Sequence, residues 1–464
     1  MGTISLVIGI TLVVCIVIGT PICMALGTTA VIGILLFMKN SNLSQLVNTA
    51  YSQGTSMNQL VAPLFVLMAE FLAEGGIAAD IYSFLSNRLK KFHAGLAIAA
   101  TLTSTVFAAL CGSSSATTAA IGRISIREMI KRGYSPAFTC GVVMAGGTLG
   151  IMIPPSMPFV LYAIITECSI AKLFMAGILP GLLLSFLLCL FAWIRIKLNP
   201  DLVNYIKVNK NHTPTEEDAQ AVIDEINGLK GSDSNSNGAG ESGKVITEEN
   251  TVHPLSIISA FVLILFVLGS IYTGICTPTE AAGVGVFGSF LVVLISKRLN
   301  SKTLIDILSQ GAKTSVMILM LSICGMGLTY VVSYLGIASA ISKSIAASGM
   351  SKWAVLALVY FMWLVLGCLM DPGSMVVLTI PFLLPTLNSL GFDTLWLGVV
   401  STLLVEVGMI TPPVGLNLFV TKSISDVPYS EIIKGALPYL GVFAVALIIL
   451  TIFPQIALWL PGRM

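Results

Sequence analysis

Charged side chains are scarce in this chain: Asp, Glu, Lys and Arg together make up 10% of its 464 residues. Soluble globular domains carry about 25% charged residues, and the mean hydropathy of this chain is +0.94. The composition therefore excludes an ordinary soluble domain and predicts a polytopic membrane protein with α-helical spans. The formal net charge of +2 argues against nucleic acid as a partner.

Histidine and paired cysteines are also lacking. The three histidines all fall in polar segments, so none is placed for metal or base chemistry inside the membrane: His93, His212 and His253. The nine cysteines are scattered without a CxxC or metal-like spacing, which predicts small buried thiols. A cleavable signal is not evident, because Met1 leads directly into an apolar run without a basic flank.

The chain consists mainly of apolar runs of spanning length or close to it. They lie near residues 4–24, 25–38, 56–76, 96–131, 136–166, 173–196, 256–275, 279–296, 312–336, 354–390, 393–421 and 436–460. Basic residues flank the run 96–131 on both sides: Arg88, Lys90, Lys91, Arg123, Arg127, Lys131 and Arg132. Since Lys and Arg accumulate on the cytoplasmic side, both ends are cytoplasmic, and the run is a re-entrant hairpin that turns at residues 111–120.

A second hairpin, 354–390, turns at "MDPGSM" (370–375), and the scarcity of cations at its ends places them on the periplasmic face. Carried along the chain, this topology puts both termini in the periplasm. It puts the polar segment 198–253 in the cytoplasm. That segment includes the stretch "SDSNSNGAGESG" (232–243), and we predict it to be a partly disordered linker.

The two halves of the sequence repeat each other. Several glycines and prolines recur 258 residues later, as Gly133 and Gly391, Gly150 and Gly408, Pro154-Pro155 and Pro412-Pro413, and Pro180 and Pro438. Each half has five crossings, an odd number, so the second copy is inverted in the membrane. The predicted fold is an all-α polytopic membrane protein of two inverted repeats, 1–197 and 254–464, each of about five transmembrane helices plus one re-entrant hairpin.

Two adjacent prolines interrupt one run in each half, within "GTLGIMIPPSMPF" (147–159) and "GMITPPVGLNLF" (408–419). Proline removes a backbone donor and clashes with the preceding turn, so the helices 136–166 and 393–421 are predicted to break at membrane depth. A break exposes N–H groups that suit a carboxylate and C=O groups that suit a small hard cation. Sodium is the natural candidate, and these residues alone do not separate it from a proton.

Each of these signals has a structural alternative. A Ser/Gly/Ala cluster such as 112–116 also serves close helix packing, and a double proline also makes a simple kink. Both devices occur together, twice, at one spacing, which favours a binding site. Acidic residues at membrane depth are functional by default: Glu70, Glu280, Asp371 and Glu406. For Glu280 the alternative is a cap on the helix after Pro278, and for Glu70 a hydrogen bond between helices.

Four motifs carry a resemblance over nearly the whole chain outside 200–253: "GICTPTEAAG" (274–283), "GGTLGIMIPPSMPF" (146–159), "MDPGSM" and "ITPPVGLNLF" (410–419). In this order they resemble the large membrane subunit of tripartite ATP-independent periplasmic (TRAP) transporters, the DctM-like family of the ion-transporter superfamily. The resemblance implies an elevator-type transporter with broken helices in the bacterial inner membrane. It also implies sodium-coupled uptake of an organic acid that a periplasmic substrate-binding protein delivers, and a small four-helix membrane subunit on a separate chain.

The resemblance also implies the site residues. Sodium is expected at the two hairpin tips and the two broken helices, at Gly112, Ser113, Ser115, Gly146, Gly147, Gly150, Gly373, Ser374, Glu406, Gly408 and Thr411. The organic acid is expected between the tips, at Ser114, Ser115, Pro155, Ser156, Asp371, Pro413 and Asn417. Sodium is the coupling ion, and no organic cofactor is expected. The insert 198–253 is longer than the connector that the family leads us to expect.

Three other functions are weighed against this one. A stand-alone sodium/dicarboxylate symporter of the same superfamily carries Ser-Asn-Thr tips, whereas this chain has Ser-Ser-Ser and Asp-Pro-Gly-Ser. An intramembrane serine protease needs a base near its serine, and neither an intramembrane histidine nor a G-x-S-x-G elbow accompanies "CGSSSA". A channel fits two inverted hairpins less well than alternating access does. The identity of the acid stays open among C4-dicarboxylates, sialic acid and other sugar acids.

Overall fold

The computed structural model of the chain describes residues 2–39, 41–89, 91–92, 94–203, 254–347, 349–412 and 415–463. Throughout this part every regular element is a helix, which confirms the all-α prediction. The predicted disorder of the linker falls on residues 204–253 and lies outside the described residues, as does Pro413.

The α-helices before residue 204 are α1 (Gly2–Val17), α2 (Ile22–Phe37), α3 (Asn42–Gly54), α4 (Val61–Glu74), α5 (Ile77–Leu89), α6 (Gly95–Cys111), α7 (Ser114–Lys131), α8 (Pro136–Met152), α9 (Met157–Thr166) and α10 (Ile170–Leu198). Those after residue 253 are α11 (Pro254–Tyr272), α12 (Pro278–Ile295), α13 (Ser301–Tyr334), α14 (Ile337–Ala347), α15 (Lys352–Gly367), α16 (Pro372–Ser389), α17 (Thr394–Met409), α18 (Leu416–Ile424), α19 (Tyr429–Ile452) and α20 (Gln455–Leu458). Short 3₁₀ turns at Met57–Leu60, Pro200–Leu202 and Pro461–Arg463 complete the described elements.

Six segments in the described part of the chain are long and apolar enough to cross a membrane: Met57–Glu74, Pro136–Thr166, Ile170–Leu198, Pro278–Ile295, Ser301–Tyr334 and Tyr429–Ile452. Shorter apolar helices accompany them, including α6 and α15, the first arms of the two predicted hairpins. Many apolar side chains are exposed on the surface of the molecule, such as Phe186, Leu265 and Phe361. These features agree with a multi-pass membrane protein, whose outer surface faces lipid.

The boundary predicted between the first two runs, at residues 24 and 25, is wrong. Helix α1 ends at Val17, and α2 begins at Ile22. Gly19 adopts a left-handed backbone with φ of +85°, which a residue with a side chain rarely takes. Pro21 then lacks the N–H needed to continue a helix. The uninterrupted apolar composition of residues 4–38 conceals this turn.

Three helices are not among the predicted runs: α3, α5 and α14. Each places polar residues on one face, so none has the continuous apolar stretch that identifies a span. Helices α5 and α14 lead directly into the two hairpins at α6 and α15. They are therefore the segments that join each hairpin to the helices before it.

Each predicted hairpin is a pair of helices that returns to the end from which it started. Helices α6 and α7 pack together, and the Tyr134 side chain after α7 hydrogen-bonds with the backbone of Leu96 at the start of α6. Helices α15 and α16 do the same, since the rings of Trp353 and Phe392 lie 5.8 Å apart at their base. Re-entry into a membrane face is a property of the chain in lipid and stays a prediction.

The two helices with paired prolines are both interrupted. Helix α8 ends at Met152 before α9, and α17 ends at Met409 before α18. The α8–α9 pair begins beside the base of the first hairpin and ends beside the base of the second, where the Tyr162 hydroxyl donates to the Thr394 carbonyl at 2.7 Å. The α17–α18 pair runs back, and Ile424 ends beside Gly122 of α7. The two pairs therefore run in opposite directions between the two hairpins.

A second group of helices packs beside this one. Helix α13 lies against α2, α3 and α4, and α4 also lies against α12. Where α4 turns into α5, the Arg298 guanidinium binds both carboxylate oxygens of Asp80, at 2.9 and 3.0 Å, and donates to the Gly75 carbonyl at 2.7 Å. The side chain of Asp80 is 4% exposed. This ion pair fixes the corner from which α5 leads to the first hairpin.

Candidate functional site

The first helix break follows directly from its two prolines. In a continuous helix the N–H groups of residues 154 and 155 pair with the carbonyls of Gly150 and Ile151, and proline has no N–H to give. The Ser156 hydroxyl replaces one of these donors, because it donates to the Ile151 carbonyl at 2.5 Å. Pro154 and Pro155 are joined by a cis peptide bond. The last turn of α8 therefore presents carbonyl groups toward the break.

The tip of the first hairpin lies against this break. Gly112 has φ of +63°, and a Cβ at this residue would lie 2.5 Å from the Pro155 carbonyl oxygen. The Met157 N–H donates to the Gly112 carbonyl at 3.4 Å, which joins the tip to the first turn of α9. Only glycine allows both this backbone conformation and this close approach. Pro155 and Ser156 of the predicted substrate group and Gly112 of the sodium group are thereby brought together.

Three glycines of α8 let the hairpin arms pack tightly on this helix. A Cβ would lie 2.9 Å from the Ser104 Oγ at Gly146, 1.9 Å from the Thr118 Oγ1 at Gly147, and 2.4 Å from the Ser113 carbonyl oxygen at Gly150. Gly146 and Gly147 lie inside α8, where their carbonyls belong to the helix. The structure thus gives these glycines a packing role, and their predicted role as sodium ligands stays a prediction.

The serines of the first tip connect the two halves of the molecule. The Ser113 Oγ accepts from the Ala116 N–H at 3.4 Å and lies 3.3 Å from the Ser115 Oγ. The Ser114 Oγ accepts from the Asn417 amide at 2.8 Å, and both residues are buried. Because Asn417 stands in the first turn of α18, the first tip touches the second broken helix as well as the first.

The second tip caps its own helix. Asp371 is the N-cap of α16: its carboxylate accepts from the Ser374 N–H at 3.0 Å, and the Ser374 hydroxyl donates to its other oxygen. A Cβ at Gly373 would lie 2.9 Å from Leu161 of α9 and 3.4 Å from Leu321 of α13. The second tip therefore packs between the first broken helix and the neighbouring group of helices. Asp371 therefore has a capping role that the sequence interpretation did not assign, and the predicted binding roles of Asp371 and Ser374 stay predictions.

The second break is held open by side-chain and backbone bonds. The Thr411 hydroxyl donates to the Val407 carbonyl at 2.6 Å, and Gly415, with φ of +39°, donates its N–H to the Cys368 carbonyl at 3.2 Å. Gly408 lies so close to the end of α15 that a Cβ would come within 2.3 Å of the Gly367 carbonyl carbon. Gly408 and Thr411 thus lie where the second hairpin meets the second break.

Glu406 is fully buried in the last turn of α17, and neither carboxylate oxygen has a hydrogen-bond partner within the described residues. The Asn417 Oδ1 is also buried and unpartnered there. A carboxylate in this position is doubly unfavourable, because it is desolvated and because it faces the negative end of the helix dipole. Its burial requires a proton or a cation close to it.

Two buried hydroxyls near the first tip were missed by the sequence interpretation. The Ser104 Oγ and the Thr118 Oγ1 have no hydrogen-bond partner in the described part of the chain, and they face Gly146 and Gly147. Threonine and serine are frequent in these arms, and most of them bond to a carbonyl one turn earlier, as Thr103 does at 2.7 Å. The sequence has no signal that separates the unpaired hydroxyls from the paired ones.

Glu280 does not belong to this site. It is exposed, its carboxylate accepts from the Thr277 N–H at 2.8 Å, and its own N–H donates to the Thr277 hydroxyl at 3.3 Å. This reciprocal pair is a capping box at the start of α12, so the capping alternative is confirmed. Glu70 is half-buried on α4 near Gly311 of α13. Of the four acidic residues predicted at membrane depth, Asp371 and Glu406 lie at a hairpin tip and at a break.

The sequence profile of the family described as "Tripartite ATP-independent periplasmic transporter, DctM component" matches residues 9–456. The chain belongs to this family. It is 33% identical over 441 residues to the "C4-dicarboxylate TRAP transporter large permease protein DctM" of Pseudomonas aeruginosa, with 94% of each chain covered. It is 32% identical over 467 residues to a protein with the same name from Vibrio cholerae, and the match covers 96% of this chain and 94% of that chain.

These relatives of the DctM family are named as permeases, so the chain is a transporter component and not an enzyme. The crystal structure of the Alcanivorax borkumensis YdaH transporter matches with a TM-score of 0.61, and the match covers 95% of this chain and 97% of that chain. Sequence identity to that transporter is 13%, so the match shows a shared fold and no more. The profile match and the two DctM relatives confirm the family recognised from the four motifs.

Proposed function

We propose that this DctM chain is the large permease subunit that takes up an organic acid in symport with sodium. The observation that carries the proposal is the Glu406 carboxylate, which is fully buried and unpartnered in the described part of the chain beside an interrupted helix. A buried carboxylate next to helix-end carbonyls and the Thr411 hydroxyl offers only oxygen ligands, which suits a hard cation such as sodium. The unpaired Asn417 Oδ1 adds an oxygen of the same kind.

The predicted sodium and substrate residues support this assignment by their placement. The first tip meets the first break at Gly112 and Pro155, and it meets the second broken helix through Ser114 and Asn417. A tip pressed against a broken helix brings N–H ends and C=O ends to one place, so a cation and a carboxylate can be held side by side. None of the residues assigned to the two sites is Lys or Arg, so sodium supplies the positive charge that the acid needs.

We propose an elevator mechanism for the movement. The two hairpins and two broken helices form the mobile part, and α1–α4 with α11–α13 form the fixed part. Support comes from the opposite directions of the α8–α9 and α17–α18 pairs, as two inverted repeats require, and from their packing against the hairpins. We also propose that the linker lies in the cytoplasm and both termini in the periplasm of a bacterial inner membrane, because Lys and Arg accumulate on the linker side of the predicted topology.

The partners follow from the family. We propose that a separate small four-helix membrane subunit braces the fixed helices and that a periplasmic binding protein delivers the acid. Relatives named for C4-dicarboxylates make such acids the first candidates. Helix ends and amides recognise a carboxylate in general, so sialic acid and other sugar acids remain within this proposal.

Uptake into proteoliposomes tests the proposal. Vesicles that contain this chain and its small subunit are expected to accumulate acid only with loaded binding protein outside and an inward sodium gradient. Glu406→Gln keeps the shape of the side chain and removes its charge, so the sodium concentration for half-maximal uptake should rise about tenfold. Glu431→Gln is the matched control, because that carboxylate is partly exposed and pairs with Lys434.

Two results contradict the proposal in different ways. Uptake without the binding protein identifies the chain as a stand-alone symporter of the same superfamily. Uptake that ignores the sodium gradient but follows a proton gradient assigns Glu406 to proton coupling.

A further inference from the structure

An apolar pocket of about 180 Å³ lies where α5 and α11 pack against α6, the first arm of the first hairpin. Apolar side chains line it from all three helices, among them Phe84 and Phe261. Of the described residues in the lining, Thr105 alone is polar, and its hydroxyl donates to the Thr101 carbonyl at 2.8 Å and lies 2.6 Å from the Ser185 Oγ. The described lining therefore offers a ligand no unpaired side-chain hydrogen-bonding group.

The pocket opens on the outer surface of the molecule. Phe84 and Phe261, which line it, are 40% and 43% exposed. In a multi-pass membrane protein this surface faces lipid, and an apolar pocket gives water nothing to bond. An empty pocket would cost the surrounding side chains their van der Waals contacts, so a hydrocarbon chain from the bilayer is the occupant that fits it. A cavity of about 150 Å³ binds benzene, so this pocket holds a chain of several carbons.

The pocket runs inward from the base of the first hairpin. The end of α5 touches the start of α6 there, since a Cβ at Gly95 would lie 1.9 Å from the Leu89 carbonyl oxygen. From this point the two helices run side by side in opposite directions, because Leu85 of α5 and Leu102 of α6 line the same pocket. Leu102 and Val106 lie about two and three helical turns beyond Gly95. The deep end of the pocket is therefore apolar, and its shallow end lies at the end of α5.

Positive charge lies at this shallow end. Arg88 stands one turn after Phe84 on α5, and its guanidinium carbon is 5.5 Å from the centre of the Phe84 ring. Arg88 and Lys91 are both exposed, and neither forms an ion pair with another described residue. A guanidinium group binds a phosphate through paired hydrogen bonds. The predicted topology places this base at the cytoplasmic face, whose leaflet carries anionic lipids.

We propose that this pocket is a binding site for an anionic phospholipid, whose acyl chain lies among α5, α6 and α11 and whose phosphate binds Arg88. Cationic side chains at the membrane face above an apolar pocket have the same polarity as such a lipid. An α-helix of the small subunit, about 10 Å in diameter, is too wide for the pocket. In the proposed elevator α6 moves and α11 stays fixed, so the lipid lies at the boundary between the two parts.

Native mass spectrometry of the full-length chain in complex with its small subunit tests the proposal. The probes are phosphatidylglycerol, which is anionic, and phosphatidylethanolamine with the same acyl chains, which is zwitterionic. The first phosphatidylglycerol should bind about tenfold more tightly than the first phosphatidylethanolamine, and Arg88→Gln should lower its affinity about tenfold. Arg127→Gln is the matched control, because Arg127 is also exposed on the first hairpin but does not line the pocket. It should leave the affinity unchanged.

A second pair of variants tests the position of the acyl chain. Leu102→Trp places a larger side chain in the pocket and should abolish tight binding of both lipids. Leu182→Trp makes the same change at a residue of α10 that is 51% exposed, and it should not affect binding. Equal affinities for the two lipids, equal effects of Arg88→Gln and Arg127→Gln, or lipid binding retained in Leu102→Trp overturns the proposal. Tight binding that appears only after removal of the small subunit also overturns it, because the pocket then belongs to the interface between the subunits.

Discussion

At the scale of single residues, Gly150 is the point where the first hairpin tip packs against the first interrupted helix. It stands four residues before the first proline of the break, and its missing side chain leaves room for the Ser113 carbonyl of the hairpin tip. That carbonyl already accepts from the Thr117 N–H at 3.1 Å and the Thr117 hydroxyl at 2.8 Å, so it is fixed in place. A side chain at residue 150 must push the tip away from α8.

Gly150→Ala tests this contact. The added Cβ would lie 2.4 Å from the Ser113 oxygen and 2.6 Å from the Thr117 Oγ1, so we expect a loss of about 1–3 kcal/mol in the free energy of unfolding. Sodium activation of uptake should weaken as well, because the tip moves. The control is Gly441→Ala on α19, whose Cβ meets nothing within 4 Å. Equal stability of the two variants would show that the tip adjusts freely.

Cys168 gives a pH dependence at the same scale. Burial in the turn after α9 raises the pKa of this thiol above its ordinary value, although a hydrogen bond with Thr166 opposes the effect. Since the thiolate is the reactive form, less of it is present at any given pH than for an exposed thiol. The rate at which a methanethiosulfonate reagent modifies Cys168 should therefore rise to half of its maximum at a higher pH than the rate for a cysteine placed at the exposed position Ser44. Coinciding pH profiles would mean that water reaches Cys168 freely.

Only some of the residues that gather at the site could be predicted from the sequence. The prolines and the tip serines were identifiable because a missing N–H and a Ser-rich turn have local consequences. The contacts of Ser104, Thr118 and Asn417 join residues from different helices, and no local pattern encodes them.

At the scale of helices, the hydropathy of the sequence predicted the apolar helices and missed the amphipathic ones. Both hairpins and both interrupted helices match predicted runs to within about three residues, because their composition is apolar and their breaks contain proline or glycine. The amphipathic helices α3, α5 and α14 were missed, since a membrane-facing stripe beside a polar face averages to a moderate hydropathy. These are the connecting helices, whose position depends on what they pack against.

Arg298 holds one of these connecting helices, α5, in place at the corner where α4 ends. Removing its guanidinium leaves the buried Asp80 carboxylate and the Gly75 carbonyl without their donor. Arg298→Ala should lower the free energy of unfolding by about 2 kcal/mol, measured by denaturation in detergent. Arg298→Lys should recover only part of this, because an ammonium group does not form the paired bonds.

Arg132→Ala is the control for the helix-scale test. Arg132 also forms an ion pair, with Glu128, but both side chains are exposed, at 47% and 37%. An exposed pair of this kind contributes less than about 1 kcal/mol. If the two alanine variants lost equal stability, the corner between α4 and α5 would not depend on the buried pair.

At the scale of the whole molecule, the repeat was visible before the structure because a fixed offset of 258 residues relates Gly150 to Gly408 and the prolines that follow them. The helices keep that offset to within one residue, since α8 spans Pro136–Met152 and α17 spans Thr394–Met409. The offset cannot reveal how the halves meet. The contact of Ser114 with Asn417 crosses 303 residues of sequence and depends on the packed molecule.

An elevator requires α13 and the second hairpin to slide past each other, and a disulfide between them tests this movement. The Val377 Cβ lies 3.5 Å from a Cβ built on Gly325, within the about 3.5–4.5 Å that a disulfide needs. In a chain with Cys324 replaced by serine, Gly325→Cys with Val377→Cys should cross-link on oxidation. Uptake should then fall to background, and a reducing agent should restore it.

The matched cross-link joins two helices that the mechanism leaves together. Gly27→Cys on α2 faces the native Cys324 of α13, with a Cβ–Cβ separation of 3.9 Å. Both helices belong to the group that the proposed mechanism holds fixed, so this disulfide should leave uptake unchanged. If both cross-links stopped uptake, α2 would have to move against α13 as well, and the fixed group would be assigned wrongly. If neither did, the second hairpin would not move relative to α13 and the acid would have to cross by another route.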